Sequence, residues 1–375
     1  MKTLFAFILL AALALGGEAR AQDTVAKQMI MIDAKTGTVL MEKNADELMH
    51  PASMSKLMTI WLVFQKLRDG QIKLTDTFPV SERAWRMGGS KMFVQVGSVV
   101  KLEDLLRGII VQSGNDACVV VAEGLAGSEQ KFAEEMTQEA RRIGLTKSTF
   151  KNATGWPDDE HLMTARELAL LAQKIIQEFP QYYSFFSEKD FTYNGIKQGN
   201  RNPLIYGKVI GDGLKTGHTE QSGYGLTASA KQGDERLILV VNGLTSMNER
   251  ASESARLMEM GFREFQTYAL FKKGDTVDTA EVWLGDAKSV PLVADRDVAV
   301  TMNRKMRSEL KATVKYQGPI PAPVVQGTQV ATLVVTAPGK APLEVPLLAG
   351  ASVDKLGMVA RFSAAVRQIF MGPQG

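Results

Sequence analysis

Hydrophobic and polar positions follow four successive patterns along this chain. Residues 1–21 are largely apolar after Lys2, and residues 22–270 mix helical spacing with extended runs. Residues 271–350 contain short runs in which apolar and polar residues alternate, separated by Pro and Gly. In residues 351–375 the apolar residues again have the spacing of an amphipathic helix. We therefore expect two folded domains, at 22–270 and 271–350, because 375 residues exceed what one hydrophobic core commonly serves.

The pattern in 22–270 predicts an α+β domain. Apolar runs on either side of a turn predict a hairpin of 29–33 with 38–41. Helical spacing predicts helices at 53–68, 101–110, 115–122, 129–142, 168–176 and 250–268. Extended runs predict strands at 191–193, 213–219, 225–230 and 236–244. Because these elements lack a βαβ order, we expect an antiparallel sheet flanked by helices.

Three local patterns add detail to this domain. The run 237–241 is apolar throughout, which is typical of a strand that is covered on both faces. Residues 152–161 are rich in Asn, Gly, Pro and Asp and predict a loop. Thr164 and Glu167 then have the spacing of a capping box at the start of the helix 168–176.

The segment 271–350 predicts a small all-β domain. Its alternating runs lie at 297–302, 311–316, 328–335 and 343–348, with Pro and Gly between them. We expect a sandwich, and no group of residues in this segment suggests catalysis.

The first 21 residues have the order of an export signal. Lys2 precedes the apolar run 4–15, and small residues at 19 and 21 predict cleavage after Ala21. The run is too short to span a bilayer comfortably. We therefore expect an exported, periplasmic protein.

The last segment, 351–375, predicts an amphipathic helix from about Asp354 to Met371. Its apolar side has Met358, Val359, Phe362, Val366, Ile369 and Phe370, and its polar side has Arg361, Arg367 and Gln368. Such a helix is typical of peripheral attachment to a membrane surface, here the outer face of the cytoplasmic membrane. The alternative is docking on the chain's own β domain.

Charge and composition exclude several classes of function. The net charge is +3, and it becomes +2 after removal of the export signal, which contains Lys2, Glu18 and Arg20. This balance does not indicate a nucleic-acid partner. A single cysteine excludes an intramolecular disulfide, and the three histidines have no metal-ligand spacing. We expect neither a metal nor a cofactor.

Ser53 and Lys56 are the first candidate catalytic pair. They are three residues apart at the start of a predicted helix, so both side chains are expected on one face. A serine needs an adjacent base to become a useful nucleophile. A lysine can be that base if burial or a nearby positive charge makes it partly neutral.

Two further motifs complete an ordered set. Ser113-Gly114-Asn115 and Lys215-Thr216-Gly217 follow Ser53-x-x-Lys56, which gives S-x-x-K, S-x-N and K-T-G. This set is typical of penicillin-binding proteins and class A β-lactamases, there with S-D-N as the middle motif. A single tripeptide is not specific, since Lys35-Thr36-Gly37 is a second K-T-G in the first hairpin turn.

With these motifs the chain resembles the D-alanyl-D-alanine carboxypeptidases among the low-molecular-mass penicillin-binding proteins. The resemblance runs from about Met29 to the C-terminus and includes 32–37, 51–59, 113–118, 152–157, 164–168 and 212–219. It implies a β-lactamase/transpeptidase-like fold with an all-helical subregion, followed by a β-rich domain and a terminal anchor. One departure is Met163, where such chains often have serine.

The resemblance also implies the catalytic roles. Ser53 attacks the carbonyl of the penultimate D-alanine and forms an acyl-enzyme, while Lys56 accepts its proton. Lys215 nearby helps to keep Lys56 neutral. Ser113 passes a proton to the departing D-alanine amine, and Asn115 positions Lys56 and the substrate amide.

The expected substrate-binding residues lie mostly in the third motif. Lys215 and Thr216 bind the terminal carboxylate, and Arg250 strengthens the positive field. Gly217 lets an extended substrate pair closely with the strand. The backbone N–H groups of His218 and of the nucleophile form the oxyanion hole. The expected ligands are peptidoglycan stem peptides and β-lactams, which acylate the same serine.

Three other functions remain open on sequence grounds. A DD-endopeptidase would use the same residues. A class A β-lactamase needs a glutamate that activates water, and 158–160 lack the Glu-x-x-Leu-Asn pattern. A catalytically idle wall-binding protein would not need the intact nucleophile and both lysines.

The remaining candidates are interpreted as structural. Cys118 lies in an apolar helical run and is expected to fill the core rather than to react. His50 and His161 are expected in loops with satisfied hydrogen bonds, and the side chain of His218 has no catalytic role. The 18 methionines are interpreted as core residues.

Overall fold

The structure is a computed structural model that describes residues 24–208 and 211–357. This part of the chain forms two compact units that divide between Thr267 and Tyr268. The predicted export signal and residues 358–375 of the predicted tail lie outside the described residues. Among the helices of the two described ranges, none has the length and hydropathy needed to cross a membrane.

The first unit combines one large sheet with seven described α-helices. The helices are α1 Lys56–Arg68, α2 Glu82–Arg86, α3 Leu102–Ile110, α4 Asn115–Ala126, α5 Glu129–Arg142, α6 Ala165–Glu178 and α7 Met247–Glu264. The strands are β1 Gln28–Asp33, β2 Val39–Lys43, β3 Thr77–Pro79, β4 Val99–Lys101, β5 Asp190–Tyr193, β6 Ile196–Gly199, β7 Gly211–Thr219, β8 Gly223–Gln232 and β9 Glu235–Leu244. Short 3₁₀ turns lie at Ala52–Ser55, Tyr183–Ser187 and Pro203–Tyr206.

The large sheet is antiparallel and has the order β2-β1-β9-β8-β7. Alternate side chains of β9 point to opposite faces, as the pleat requires. Ile238 and Val240 join the core beneath the helical region, whereas Leu237, Leu239 and Val241 join the core beneath α7. The prediction that this strand is covered on both faces is confirmed, and β7 is left as an edge strand of the sheet.

The helical region provides most of the first core. Helix α1 is almost wholly buried and packs against α4, α5 and α6. The indole of Trp61 meets the ring of Phe179 edge-on, with centroids 4.9 Å apart. Because α1 is fixed by neighbours on several sides, the turn at its N-terminus has a rigid support. The predicted α+β class, with an antiparallel sheet and a helical subregion, is confirmed.

The second unit is all-β, as predicted. Its strands are β10 Phe265–Phe271, which begins before the boundary, β11 Thr276–Trp283, β12 Ser289–Ala294, β13 Val298–Asn303, β14 Lys311–Lys315, β15 Ile320–Pro321, β16 Gln329–Thr336 and β17 Leu343–Ala349, with a 3₁₀ turn at Arg304–Glu309. Six strands form a sheet in the order β14-β16-β17-β12-β11-β15, and β10 pairs with β13. Side chains of both sheets share one apolar core, which is the packing of a sandwich.

Several predicted boundaries are wrong. Helix α7 ends at Glu264, and the residues that follow, predicted as helix to 268, begin β10. The short strands β3, β4 and β6 and the second-unit strands β11 and β12 were not predicted. The expected tail helix does not begin at Asp354, since Val353 and Lys355 form bridges with Val324 and Gly285.

The capping box at α6 forms only in part. Thr164 is the N-cap as predicted, and its Oγ1 accepts the N–H of Glu167 at 3.1 Å. The Glu167 carboxylate does not return to Thr164. It accepts the N–H of Lys147 at 2.7 Å and the hydroxyl of Ser148 instead. These bonds satisfy a backbone donor and a side-chain donor of the loop before α6.

Candidate active site

The nucleophile candidate lies in a 3₁₀ turn rather than in the predicted α-helix. Ser53 belongs to Ala52–Ser55, and α1 begins only at Lys56. Ala52 has a left-handed backbone, with φ at +49°, which is a strained conformation for a residue with a side chain. The turn places Ser53 Oγ 2.8 Å from Lys56 Nζ. The contact between Ser53 and Lys56, which are three residues apart in the sequence, therefore forms at the N-terminus of α1.

Lys56 is fully buried and has several hydrogen-bond acceptors. Its Nζ donates to Asn115 Oδ1 at 2.7 Å and to the backbone carbonyl of Thr154. Burial, with a smaller effect of the Arg201 guanidinium, lowers the pKa of Lys56 from 10.5 to about 8. A part of the Lys56 amine is therefore neutral near pH 7, and a neutral amine can accept a proton from the Ser53 hydroxyl.

A second amine and hydroxyl form a similar pair across the cleft. Lys215 Nζ lies 2.9 Å from Ser113 Oγ. Lys215 is buried in β7, and Ser113 has a left-handed backbone, with φ at +61°, just before α4. Burial and the charge of Lys56 lower the pKa of Lys215 well below its usual value. The S-x-x-K, S-x-N and K-T-G motifs therefore meet at one place.

Asn115 and its neighbour Asp116 hold the loop 88–93, which forms one wall of the cleft. Asn115 Nδ2 donates to the carbonyl of Gly88 at 2.9 Å, and its backbone N–H donates to that of Ser90 at 2.7 Å. The buried Asp116 carboxylate accepts the N–H groups of Met92 and Phe93, each at 2.9 Å. Asn115 thus connects Lys56 to this wall, a connection that the sequence did not predict.

Gly217 is required by close packing of β7 against the nucleophile turn. A Cβ at Gly217 would lie 2.7 Å from the carbonyl oxygen of Pro51. Gly155 approaches the same turn, and its Cβ would overlap the carbonyl oxygen of Ala52. Since Gly155 also has φ at +77°, a side chain there would be strained as well as crowded. These two glycines explain how the strand and the loop 152–161 come so near Ser53.

His218, Tyr224 and Arg250 form a stack beside the third motif. The rings of His218 and Tyr224 are stacked with centroids 3.9 Å apart, and the Arg250 guanidinium lies 5.7 Å from the Tyr224 centroid. Arg250 is largely buried, and burial lowers the pKa of its guanidinium. Thr216 is buried on the same strand. The structure therefore brings Arg250 to the K-T-G end of the cleft.

Arg201 is a further cation that the sequence analysis missed. Its Nη1 donates to Ser90 Oγ, and its charge acts on Lys56, Lys215 and Arg250. No motif surrounds it in the sequence, so only the fold shows that it belongs to this group. Four basic side chains around one cleft, Lys56, Arg201, Lys215 and Arg250, favour an anionic group of a ligand.

The side chains interpreted as structural differ in their surroundings. Cys118 is buried, and burial raises the pKa of its thiol to about 12, so the thiolate is scarce at neutral pH. His50 Nε2 lies 2.8 Å from Gln221 Nε2. The expectation for His161 is wrong in part. Its Nδ1 accepts the N–H of Lys151 at 3.3 Å, but its buried Nε2 has no partner among the described residues.

The chemistry available here is acyl transfer to a serine. The Ser53 hydroxyl lies beside the partly neutral Lys56 amine, and the Ser113 hydroxyl accepts a hydrogen bond from the Lys215 amine. The guanidinium groups of Arg201 and Arg250 lie near these pairs. Within residues 24–208 and 211–357, no group of three or more His, Cys, Asp or Glu side chains is arranged to hold a metal ion. The arrangement fits a substrate with a carboxylate near the bond that is cleaved.

Two family models match the chain. A model described as D-alanyl-D-alanine carboxypeptidase matches residues 17–246, and one described as the C-terminal domain of penicillin-binding protein 5 matches residues 265–355. The chain is also 40% identical over 344 residues to D-alanyl-D-alanine carboxypeptidase DacC of Escherichia coli. That match covers 90% of this chain and 86% of the relative.

Solved structures agree with these matches. Penicillin binding protein 5 from Haemophilus influenzae superposes with a TM-score of 0.82 at 35% identity, covering 90% of this chain and 99% of the other. Penicillin-binding protein D2 from Listeria monocytogenes, in its ampicillin-bound form, superposes with a TM-score of 0.59 at 29% identity. That match covers 64% of this chain and 100% of the other.

Proposed function

The chain belongs to the D-alanyl-D-alanine carboxypeptidase family of serine peptidases, and on that premise we propose which of its residues remove the terminal D-alanine of a peptidoglycan stem peptide. The family acts through an acyl-enzyme and binds β-lactams. One observation carries the assignment. Two amine–hydroxyl pairs meet in a single cleft, Lys56 with Ser53 at 2.8 Å and Lys215 with Ser113 at 2.9 Å.

Acylation begins when the neutral Lys56 amine takes the proton of Ser53 Oγ. The oxygen attacks the carbonyl carbon of the penultimate D-alanine, and the carbonyl oxygen becomes an oxyanion. The N–H groups of Ser53 and His218 are the donors for it, supported by the close approach of β7 to the nucleophile turn. Loss of one such donor typically costs about 2.7–4 kcal/mol of transition-state stabilisation.

The tetrahedral intermediate then collapses, and the C–N bond to the terminal D-alanine breaks. Ser113 Oγ, which accepts a hydrogen bond from Lys215 Nζ at 2.9 Å, carries the proton that Lys56 took from Ser53 to the departing amine, so that Lys56 is neutral again. A water molecule next gives a proton to the neutral Lys56 amine and attacks the carbonyl carbon of the Ser53 ester. The C–O bond to Ser53 breaks, Lys56 returns the proton to Ser53 Oγ, and the shortened peptide leaves. A β-lactam acylates the same serine because its strained amide resembles the D-Ala-D-Ala bond.

The terminal carboxylate binds at the cationic end of the cleft. Lys215 and the Thr216 hydroxyl are its direct partners, and Arg250 and Arg201 add positive charge around it. Asn115 holds Lys56 in place and presents an amide to the substrate. Because the cations are buried or half-enclosed, their attraction for the carboxylate is screened less than it would be in open solvent.

Product analysis tests this function. We expect the purified full chain to release free D-alanine from a soluble pentapeptide that ends in D-Ala-D-Ala. The same peptide with a C-terminal amide should react at least about tenfold more slowly, because the carboxylate contact is lost. Monomers released from cross-linked dimers, without D-alanine from the pentapeptide, would identify an endopeptidase and contradict the proposal.

We also propose that the tail attaches the protein peripherally to the outer face of the cytoplasmic membrane. The support is the division of 358–371 into apolar and polar sides in the sequence. Val353 is buried and pairs with Val324, so a truncation that spares the β domain ends after Gly357.

We expect the full chain to sediment with membranes and the variant ending at Gly357 to remain in the supernatant. D-alanine release from a soluble peptide should be equal in both. The double variant Phe362→Ser/Phe370→Ser should also lose sedimentation, whereas Gln368→Ser on the polar side should keep it. Recovery of the full chain in the supernatant would rule out the anchor.

A further inference from the structure

Positive charge is concentrated in one short stretch of the second unit. Residues 304–315 contain five basic residues and one acidic residue, Glu309, which gives a net charge of +4. The whole chain has a net charge of only +3, so its other residues are close to balance. The five basic side chains are called the basic stretch below, and they are Arg304, Lys305, Arg307, Lys311 and Lys315.

The fold presents the basic stretch to solvent. Its first three members lie in the 3₁₀ turn Arg304–Glu309, in which no residue is buried, and its last two lie on β14. Val314 packs against the core of the sandwich, so Lys311 and Lys315, at an odd number of residues from it, point to the opposite face. All five side chains are exposed.

The charge of the basic stretch is not neutralised by its own surroundings. Four of its members form no ion pair within the part of the chain that the structure describes, namely Lys305, Arg307, Lys311 and Lys315. The Arg307 guanidinium lies 4.8 Å from the centroid of the Tyr268 ring, and such a contact keeps the positive charge. The basic stretch therefore offers uncompensated charge to a partner.

Lysine on an edge strand has a simpler explanation, which covers only part of the basic stretch. Edge lysines hinder the pairing of a sheet with other chains and so protect a protein from aggregation. This accounts for Lys311 and Lys315, because β14 pairs with β16 on one side and is the edge of the described sheet on the other. It does not account for the three members in the turn, which belongs to no sheet. Charge on both elements together indicates an anionic partner.

The basic stretch and the start of the tail lie near opposite edges of the six-stranded sheet. The last described part of the chain is near the other edge, where Lys355 bridges Gly285 after β11 and Val353 bridges Val324 after β15. Four strand spacings separate β14 from β11, which is about 19 Å. This separation favours a partner other than the lipid surface to which the tail is proposed to bind.

Under the proposed function, on which this inference rests, the substrate itself is a polyanion. An uncross-linked stem peptide ends in a carboxylate, and each hydrolysis leaves a new carboxylate at the end of the shortened stem. Peptidoglycan has many stems on one polymer, so these carboxylates are repeated along it. Weak contacts with one polymer reinforce each other, because every contact after the first is intramolecular.

We propose that the basic stretch is a second, non-catalytic contact with peptidoglycan. Its ammonium and guanidinium groups bind carboxylates of stems on the same polymer whose other stems are cleaved at Ser53. The contact keeps the enzyme on the polymer between turnovers. It therefore increases turnover on insoluble peptidoglycan and has no effect on the cleavage of a soluble peptide.

The test measures sedimentation of the full chain with insoluble peptidoglycan. The chain is first acylated with a fluorescent penicillin, so that the cleft is occupied, and fluorescence in the pellet reports the bound protein. We expect the acylated chain to pellet at low salt and to stay in the supernatant at about 1 M salt, where the screening length is about 3 Å. Peptidoglycan whose carboxylates have been converted to amides should not bind it.

Substitutions at three lysines assign the binding to the basic stretch. Lys305→Gln/Lys311→Gln/Lys315→Gln, the triple glutamine variant, should bind insoluble peptidoglycan at least about tenfold more weakly, because three charged surface contacts are lost. Lys305→Arg/Lys311→Arg/Lys315→Arg keeps the charge and should bind like the wild type.

A matched control removes the same charge elsewhere in the second unit. Lys272→Gln/Lys273→Gln/Lys288→Gln changes exposed residues in the turns on either side of β11 and should bind like the wild type. All three variants should release D-alanine from a soluble peptide at the wild-type rate. On insoluble peptidoglycan at low salt, the triple glutamine variant alone should be slower, by about threefold.

Three results would overturn the peptidoglycan contact. The acylated wild type stays in the supernatant at low salt, the triple glutamine variant pellets like the wild type, or the control loses as much binding as that variant. Peptidoglycan binding that persists in the triple glutamine variant, with sedimentation on phosphatidylglycerol vesicles lost, would assign the basic stretch to a lipid surface instead.

The proposed function is read separately from this contact. In each overturning result the chain still takes the penicillin label and releases D-alanine from the soluble peptide, so the proposed function stands. A chain that takes no label and releases no D-alanine contradicts the proposed function and, with it, the premise of the peptidoglycan contact.

Discussion

Ser53→Ala is expected to abolish covalent labelling by a fluorescent penicillin and to lower D-alanine release by at least about 10³-fold. The reason is that the hydroxyl supplies the atom that forms the acyl bond, and alanine has no atom that replaces it. Residual turnover would come only from the cations and backbone donors that surround the substrate. Labelling is measured by fluorescence of the denatured protein on a gel, and turnover by assay of free D-alanine.

Ser55→Ala is the matched control for this change. Ser55 belongs to the same turn and is fully buried, and its Oγ donates to the carbonyl of Ala52 at 3.0 Å. Its loss removes one hydrogen bond, which is worth about 1 kcal/mol of stability, and leaves the nucleophile in place. We expect Ser55→Ala to keep its labelling. If Ser53→Ala were still labelled, the nucleophile would be another residue, with Ser113 the first to examine.

The sequence motifs predicted the composition of the cleft because each motif is a short stretch of side chains with chemistry of its own. The apolar periodicity predicted most helices for a similar reason, since α3, α5 and α6 each bury one face. What the motifs could not show is how Lys56 is held. One of its partners is the backbone carbonyl of Thr154, and a backbone carbonyl has no signature in sequence.

The errors have physical reasons of the same kind. Phe262, Phe265 and Tyr268 keep helical spacing, and no Gly or Pro marks the end of α7, so the periodicity predicted a helix that runs too far. There the chain forms β10 because it pairs with the distant β13. Pairing over such a separation depends on the whole fold and is not readable in a local window.

The turn at Ser53 was missed for a local reason. A position with a left-handed backbone is usually occupied by glycine, which makes it recognisable in the sequence, but here the residue is Ala52. The structure tolerates the strain because α1 and β7 enclose the turn, and a Cβ at Gly217 would already touch it. The α-helix therefore begins three residues later than the pattern indicates, and the nucleophile lies outside it.

Lys56→Arg is expected to lower the rate of acylation by about 10²–10⁴-fold, although the positive charge is kept. An arginine stays protonated at any pH at which the protein is folded, so it cannot accept the proton of Ser53. The measurement is the rate of labelling by a fluorescent penicillin. Lys66→Arg is the matched control at the other end of α1, where Lys66 is partly exposed and lies 3.9 Å from Glu135. That variant should label at the wild-type rate.

The wild-type rate should rise with pH, with a midpoint near 8. Burial lowers the pKa of Lys56 from 10.5 to about 8, so about one-tenth of the amine is neutral at pH 7, against about one part in 3,000 at the ordinary value. Below the midpoint the ammonium has no lone pair to accept the proton, and above it the rate should level off. A midpoint near 10.5, or a rate that does not change between pH 6 and 9, would mean that Lys56 is not the base.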